Sequence, residues 1–155
     1  MTVATRRRTR ARELALHVLY MGDVKGPEAF EEAEEHFASQ ARDPEIRAYA
    51  RRVLEGVREH QAEIDEWIRR TAKNWDLARM AALDRNLLRM GIYELLHEEG
   101  VPPRVAINEA IELGKRYSTT QSGAFINGIL DRVRVLAGVG DRGGPAPPAR
   151  PEPAE

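Results

Sequence analysis

Apolar side chains recur along this chain at intervals of three and four residues, and the period of two that marks a half-buried strand is not found. Ala11, Leu14, Ala15, Val18 and Leu19 form the first such stripe, which predicts a helix over about residues 5 to 21 that stops near Gly22. Pro27 then opens a short second helix through Phe30, Ala33 and Phe37. Asp43 followed by Pro44 reads as an N-cap and a first-turn proline, starting a third helix whose inner stripe is Ile46, Tyr49, Ala50, Val53 and Val57. A fourth, shorter helix carries Ile64, Trp67 and Ile68.

Residues 78–97 are apolar on most of their circumference, through Met80, Leu83, Leu87, Leu88, Met90, Ile92, Tyr93, Leu95 and Leu96, so this helix should be central. Gly100, Pro102 and Pro103 break the chain before a sixth helix with Ile107, Ala110, Ile111 and Leu113. Ser118 with Gln121 three residues on has capping-box spacing and opens a seventh, with Ile126, Ile129, Leu130, Val133 and Ala137 inward. The expected fold is all-α, a compact bundle of about seven helices over residues 1–137. Residues 138–155 hold four glycines and five prolines, a composition that reads as a disordered tail.

The composition narrows the class. With 155 residues, 42% hydrophobic, and 24 Lys plus Arg against 25 Asp plus Glu, the chain can bury a core of its own. It has no cysteine, which excludes a disulfide framework, a thiolate metal site and a cysteine nucleophile, and makes the cytoplasm the expected compartment. Charges interrupt every apolar run long before the roughly 20 residues of a membrane span. The arginines at the start are not followed by the apolar stretch and small-residue cleavage site of a signal peptide.

Catalytic apparatus is not evident. His17, His36, His60 and His97 fall on four different predicted helices without a second histidine one turn away, so no metal site is expected. His97-Glu98-Glu99-Gly100 begins like a zincin motif but lacks the second histidine, and Gly138-Val139-Gly140 follows a helix rather than a strand. Neither an enzyme nor a cofactor is expected.

Charge is distributed more informatively than its total. Arg6, Arg7, Arg8, Arg10 and Arg12 lie within twelve residues with no acid among them, whereas Glu28, Glu31, Glu32, Glu34 and Glu35 form a run without a base. Five uncompensated guanidinium groups suit a polyanion. The alternative is compositional, because three lysines leave 21 of the 24 basic residues as arginine. Tyr20 lies almost opposite the apolar stripe of the first helix and either stacks on an unpaired base or packs beneath a loop. At the start of the seventh helix, free backbone N–H groups suit phosphate, and Phe125 either covers the core edge or stacks on a base.

Four blocks carry a family resemblance: Arg10-Ala11-Arg12-Glu13 with Leu19-Tyr20, Met90 to Leu95, Val105 to Leu113, and Phe125 to Asp131. In this order, across about residues 5 to 137, they resemble the NusB family of bacterial transcription antitermination factors. The resemblance implies two small helical bundles that bind the boxA RNA of ribosomal RNA leader transcripts as single strand. It also implies a heterodimer with the small-subunit ribosomal protein that doubles as NusE, joining elongating RNA polymerase with other Nus factors; some members form homodimers. Carried over by position, the RNA contacts would be Arg8, Arg10 and Arg12 with Arg6 and Arg7 as added charge, then Tyr20, Ser122, Phe125 and Asn127. Glu31, Glu32 and Glu35 are the candidate face for a basic protein partner. Two alternatives are a stand-alone RNA-binding module like that of some ribosomal RNA methyltransferases, and a self-associating bundle whose arginine end meets its own partner. Gln121 and Ala124 are neutral where many members are charged, and Gly114 replaces a usual alanine.

Overall fold

Glycine 22 does not end the first helix. The computed structural model of the chain describes residues 3–140, without the side chains of Val3, Ala4 and Thr120, and in it α1 runs from Val3 to Lys25. The stop is Gly26, whose φ of 119° only glycine adopts readily, and whose N–H closes onto the Gly22 carbonyl at 3.1 Å. Gly22 serves packing instead. A Cβ there would stand 2.2 Å from the tip of the Phe30 ring, and the Arg58 guanidinium covers that ring at 4.0 Å.

Among the described residues there are eight α-helices, one 3-10 turn and no strand. The eighth arises because the expected second helix is two, α2 (Glu28–Glu31) and α3 (Ala33–Gln40), parted at Glu32 with φ −97° and ψ 5°. The fourth, α4 (Pro44–Glu59), begins as the sequence predicts, with the Glu45 N–H donating to Asp43 Oδ1 at 2.9 Å. Arg47 closes the end of α3 by donating to the Ala41 and Arg42 carbonyls at 2.7 and 2.8 Å. The chain divides into two units between Glu59 and His60. In the first, the α1 stripe of Ala11, Leu14, Ala15, Val18 and Leu19 is buried, as are Tyr49, Ala50, Val53 and Val57 of α4 and Ala33 and Phe37 of α3.

The second unit contains α5 (Gln61–Thr71), a 3-10 turn (Leu77–Arg79), α6 (Ala82–His97), α7 (Pro103–Tyr117) and α8 (Thr120–Leu136). Helix α6 is central, packed against α5, α7 and α8, and every residue from Asn86 to Leu95 is buried. That burial includes a charge. The Arg89 guanidinium makes a two-point pair with Asp65 of α5 at 2.8 and 3.0 Å and donates to Asn86 Oδ1 at 3.2 Å.

The α8 cap is displaced from its expected place. Thr119 Oγ1, not Ser118, accepts the capping bond, from the Ser122 N–H at 3.1 Å. Ser118 instead closes α7, its N–H donating to the Gly114 carbonyl at 2.9 Å. Gly114 has a packing reason, because a Cβ there would come within 2.9 Å of Ile126 Cδ1 in the core. No described helix is long and apolar enough to cross a membrane. Of the expected tail, residues 141–155 lie outside the described residues.

Removing one partner of a buried ion pair strands the other. Asp65→Ala should therefore destabilise the protein by about 3–5 kcal/mol in urea unfolding, and a loss below about 1 kcal/mol, the range of an exposed pair, would mean that water reaches Arg89.

Candidate nucleic-acid interface

The arginine cluster at the start of α1 is not uncompensated, as its sequence suggests, but graded. Arg7 pairs with Asp43 at 3.0 Å and Glu45 at 3.1 Å, and Arg10 with Glu13 at 3.2 Å and Gln40 at 3.3 Å. Arg8 lies 4.0 Å over the Tyr49 ring, while Arg12, 5.8 Å from the same ring, is only 2% exposed. Arg6 is exposed and has no carboxylate partner among the described residues. Exposed ion pairs are worth about 0–1 kcal/mol, so Arg7 and Arg10 can trade a carboxylate for a phosphate. Arg12 cannot without leaving the packed interface of α1 with α4. Tyr20 is 36% exposed, on the outer side of α1.

The acidic run is also divided. Glu34 receives both the Nε and the Nη2 of Arg51, the latter at 2.7 Å, and this hydrogen bonding holds its carboxyl below the usual carboxylate range. Glu31, Glu32 and Glu35 are exposed.

Tertiary folding brings the histidines together in pairs that their sequence separation conceals. His17 stacks on His36 at 4.5 Å in the first unit. In the second, His60 stacks on His97 at 3.8 Å with the planes 10° apart, and Glu63 Oε1 is 3.0 Å from His97 Nε2 and 3.8 Å from His60 Nδ1. These ligand atoms lie within 4.8 Å of one another, a grouping no sequence motif foretells. Face-to-face rings send their in-plane lone pairs side by side instead of converging on one point, so the arrangement suits a shared carboxylate better than a shared cation.

At the start of α8, the three expected residues have three different environments. Ser122 is 6% exposed, its hydroxyl within 2.9 Å of Ser118 Oγ and 3.3 Å of Asp84 Oδ2, so it is an internal brace. Phe125 is half-buried and Asn127 exposed, about 200° apart around the helix at 100° per residue. Sequence reasoning missed Trp75. Its indole is 59% exposed, on the segment between α5 and the 3-10 turn, and meets Phe125 edge-on at 5.2 Å and 67°. The available signal was a tryptophan within Lys73-Asn74-Trp75-Asp76 that no helical stripe accounts for.

Open cations and exposed rings on an all-helical scaffold define a recognition protein, one built around surfaces. The chain belongs to the NusB family, whose profile matches residues 9–134. It is 46% identical over 140 residues to the transcription antitermination protein NusB of Desulforapulum autotrophicum, covering 88% of this chain and 96% of that one. The NusB of Myxococcus xanthus is 48% identical over 136 residues, 83% of this chain and 94% of the relative. Among solved structures, T. maritima NusB superposes with a TM-score of 0.71 at 38% identity, over 81% of this chain and 89% of that one. A chain from the crystal structure of the antitermination factors NusB and NusE in complex with double-stranded RNA gives 0.70 at 27% identity, over 85% and 97%.

Burial, with smaller contributions from His17 and Arg10, lowers the pKa of His36 from its usual 6.5. Below that value the unfolded chain takes up a proton that the folded chain resists, so stability present above pH 6.5 is lost as pH falls toward the lowered folded pKa. The melting temperature should therefore fall less in His36→Gln than in the parent between about pH 7.5 and 5.5. Equal falls would assign the acid sensitivity to other groups.

Proposed function

We propose that the chain is a transcription antitermination factor, a non-catalytic cytoplasmic adaptor. It holds the boxA RNA of ribosomal RNA leader transcripts together with a NusE-type ribosomal protein on elongating RNA polymerase, beside other Nus factors. The observation that carries this reading is the outer ridge of α1, where Arg6, Arg10, Glu13, His17 and Tyr20 follow at intervals of four and three residues, with Arg6, His17 and Tyr20 exposed, Arg10 partly so and Glu13 mostly covered. The ridge runs roughly 21 Å at 1.5 Å per residue, with a cation at one end and a ring at the other. Phosphate contact plus base stacking is how unpaired RNA is gripped. The neighbour described with NusE and RNA supports both partners.

Roles follow from exposure. Arg6 and Arg8 contact phosphate, Arg7 and Arg10 join by giving up their carboxylates, and Arg12 braces Tyr49 beneath them. Tyr20 and Phe125 stack on bases and Asn127 offers an exposed amide, while Ser122 orders the start of α8. Glu31, Glu32 and Glu35 form the face for the basic protein.

Mobility shift with boxA-like RNA, as single strand and as duplex, with and without the NusE-type partner, tests the reading over a salt series. Affinity for single strands changes with salt by about −0.7 logarithmic units per neutralised phosphate. Replacing Arg6 and Arg8 with alanine should flatten the slope by about 1.4, the share of two phosphates. An unchanged slope removes the arginine end from the RNA.

Reversing Glu31, Glu32 and Glu35 to lysine should weaken capture of the NusE-type protein and leave RNA affinity in its absence undiminished. Undiminished capture would make the acidic run a solvated face.

A further inference from the structure

Trp75 presents more than half of a large apolar ring to solvent, although the surrounding unit has a well-filled core. Its ring and that of Phe125, set 67° apart, are two walls of a corner that borders an open cleft of about 460 Å³. This lies within the range of about 300–1,000 Å³ usual for ligand sites. Lys73 and Arg132 line the same cleft, and no acidic residue does. Arg132 is held there by donating from Nη1 to the Thr71 carbonyl. Gly128, also in the lining, has nothing within 4 Å of where a Cβ would stand, so the floor beside Phe125 is bare.

A planar ring can enter such a corner by stacking on one wall and meeting the edge of the other. Two cations without a counter-charge favour an anion bonded to that ring. A nucleotide of the RNA proposed above has both features, a planar base and a phosphate. A basic protein would bring like charge to Lys73 and Arg132, which disfavours the ribosomal-type partner here.

We infer that the cleft between Trp75 and Phe125 receives one unpaired nucleotide of the bound RNA, its base against the Trp75 indole and its phosphate toward Lys73 and Arg132. The inference rests on the RNA-binding function proposed above and adds Trp75, Lys73 and Arg132 to it. It also gives the exposed indole a purpose that folding does not supply.

Tryptophan emission reads this site directly. The only other tryptophan, Trp67, is 5% exposed, so a base reaching an indole reaches Trp75. The full chain is titrated with a single-stranded boxA-like RNA while mobility shift reports binding independently. Saturating RNA should quench the parent, whereas Trp75→Phe should lose the quench and keep its affinity within about twofold, because a ring remains to stack on. Trp75→Leu should bind roughly 5- to 150-fold more weakly, the range of one stacked base, with an unchanged melting temperature because the side chain is exposed. If RNA binds, yet Trp75 emission stays constant and Trp75→Leu matches the parent, the cleft is overturned and the RNA function stands. Should Trp75→Leu instead lose capture of the NusE-type protein, the occupant is protein and the inference is wrong. Absence of any RNA shift at low salt overturns function and cleft together.

Discussion

A helix apolar on every side must be covered on every side. Helix α6 imposes that constraint on the second unit, since every residue from Asn86 to Leu95 is buried. Three helices, α5, α7 and α8, provide the cover, and their small residues set how closely they approach. Gly114 of α7 leaves room for the Ile126 tip of α8. The same constraint explains Arg89: a cation on a fully covered helix needs its counter-ion inside, and Asp65 on α5 meets it with both oxygens. With α5 so fixed, the segment that leaves it is also positioned, bringing Trp75 to the Phe125 ring on α8. The exposed aromatic corner is thus a consequence of burying α6.

The first unit illustrates how packing edits charge. Five arginines on one short stretch would repel one another and attract any polyanion. Docking α1 on α4 brings Tyr49 under Arg8 and Arg12 and sets Asp43 and Glu45 beside Arg7. The guanidinium tolerates this because its face stacks on a ring while its edge still donates; lysines could not be sorted in that way. What remains toward solvent is a gradient from an open Arg6, through pairs exchangeable at little cost, to a structural Arg12. Such an end discriminates by geometry as well as by net charge.

Much of this was legible in the sequence because helical burial is periodic. The α1 stripe, the Asp43-Pro44 start of α4 and the all-round burial of α6 each follow from the spacing of apolar residues. Tyr20 was also legible, since its wheel position alone opposes the stripe. The misreadings arise where contacts that the apolar spacing does not encode decide the outcome. Gly22 looks like a stop until the Phe30 ring occupies the space above it, with the Arg58 guanidinium of α4 over that ring. Ser118 and Thr119 are equally good caps in isolation, and the choice falls to Thr119 because Ser118 is already used to finish α7. Arg12 joins a basic cluster in the sequence and a packed interface in the fold. Trp75 escaped because a segment between helices has no period against which an exposed ring stands out.

The proposed adaptor role fits the small number of cations at the proposed contacts. Arg6 and Arg8 on one unit, and Lys73 and Arg132 on the other, are a sparse set for holding a flexible strand, and each phosphate contact weakens as salt rises. The proposed stacking on Tyr20, Phe125 and Trp75 would add attraction that salt screens far less, because it comes from ring faces and not from counterion release. Grip divided in this way is moderate at any single point. A second chain that binds both the acidic face and the RNA would then act through effective concentration, making the second contact intramolecular. On this argument the proposed RNA-plus-protein partnership is the natural use of contacts that each hold the RNA only moderately.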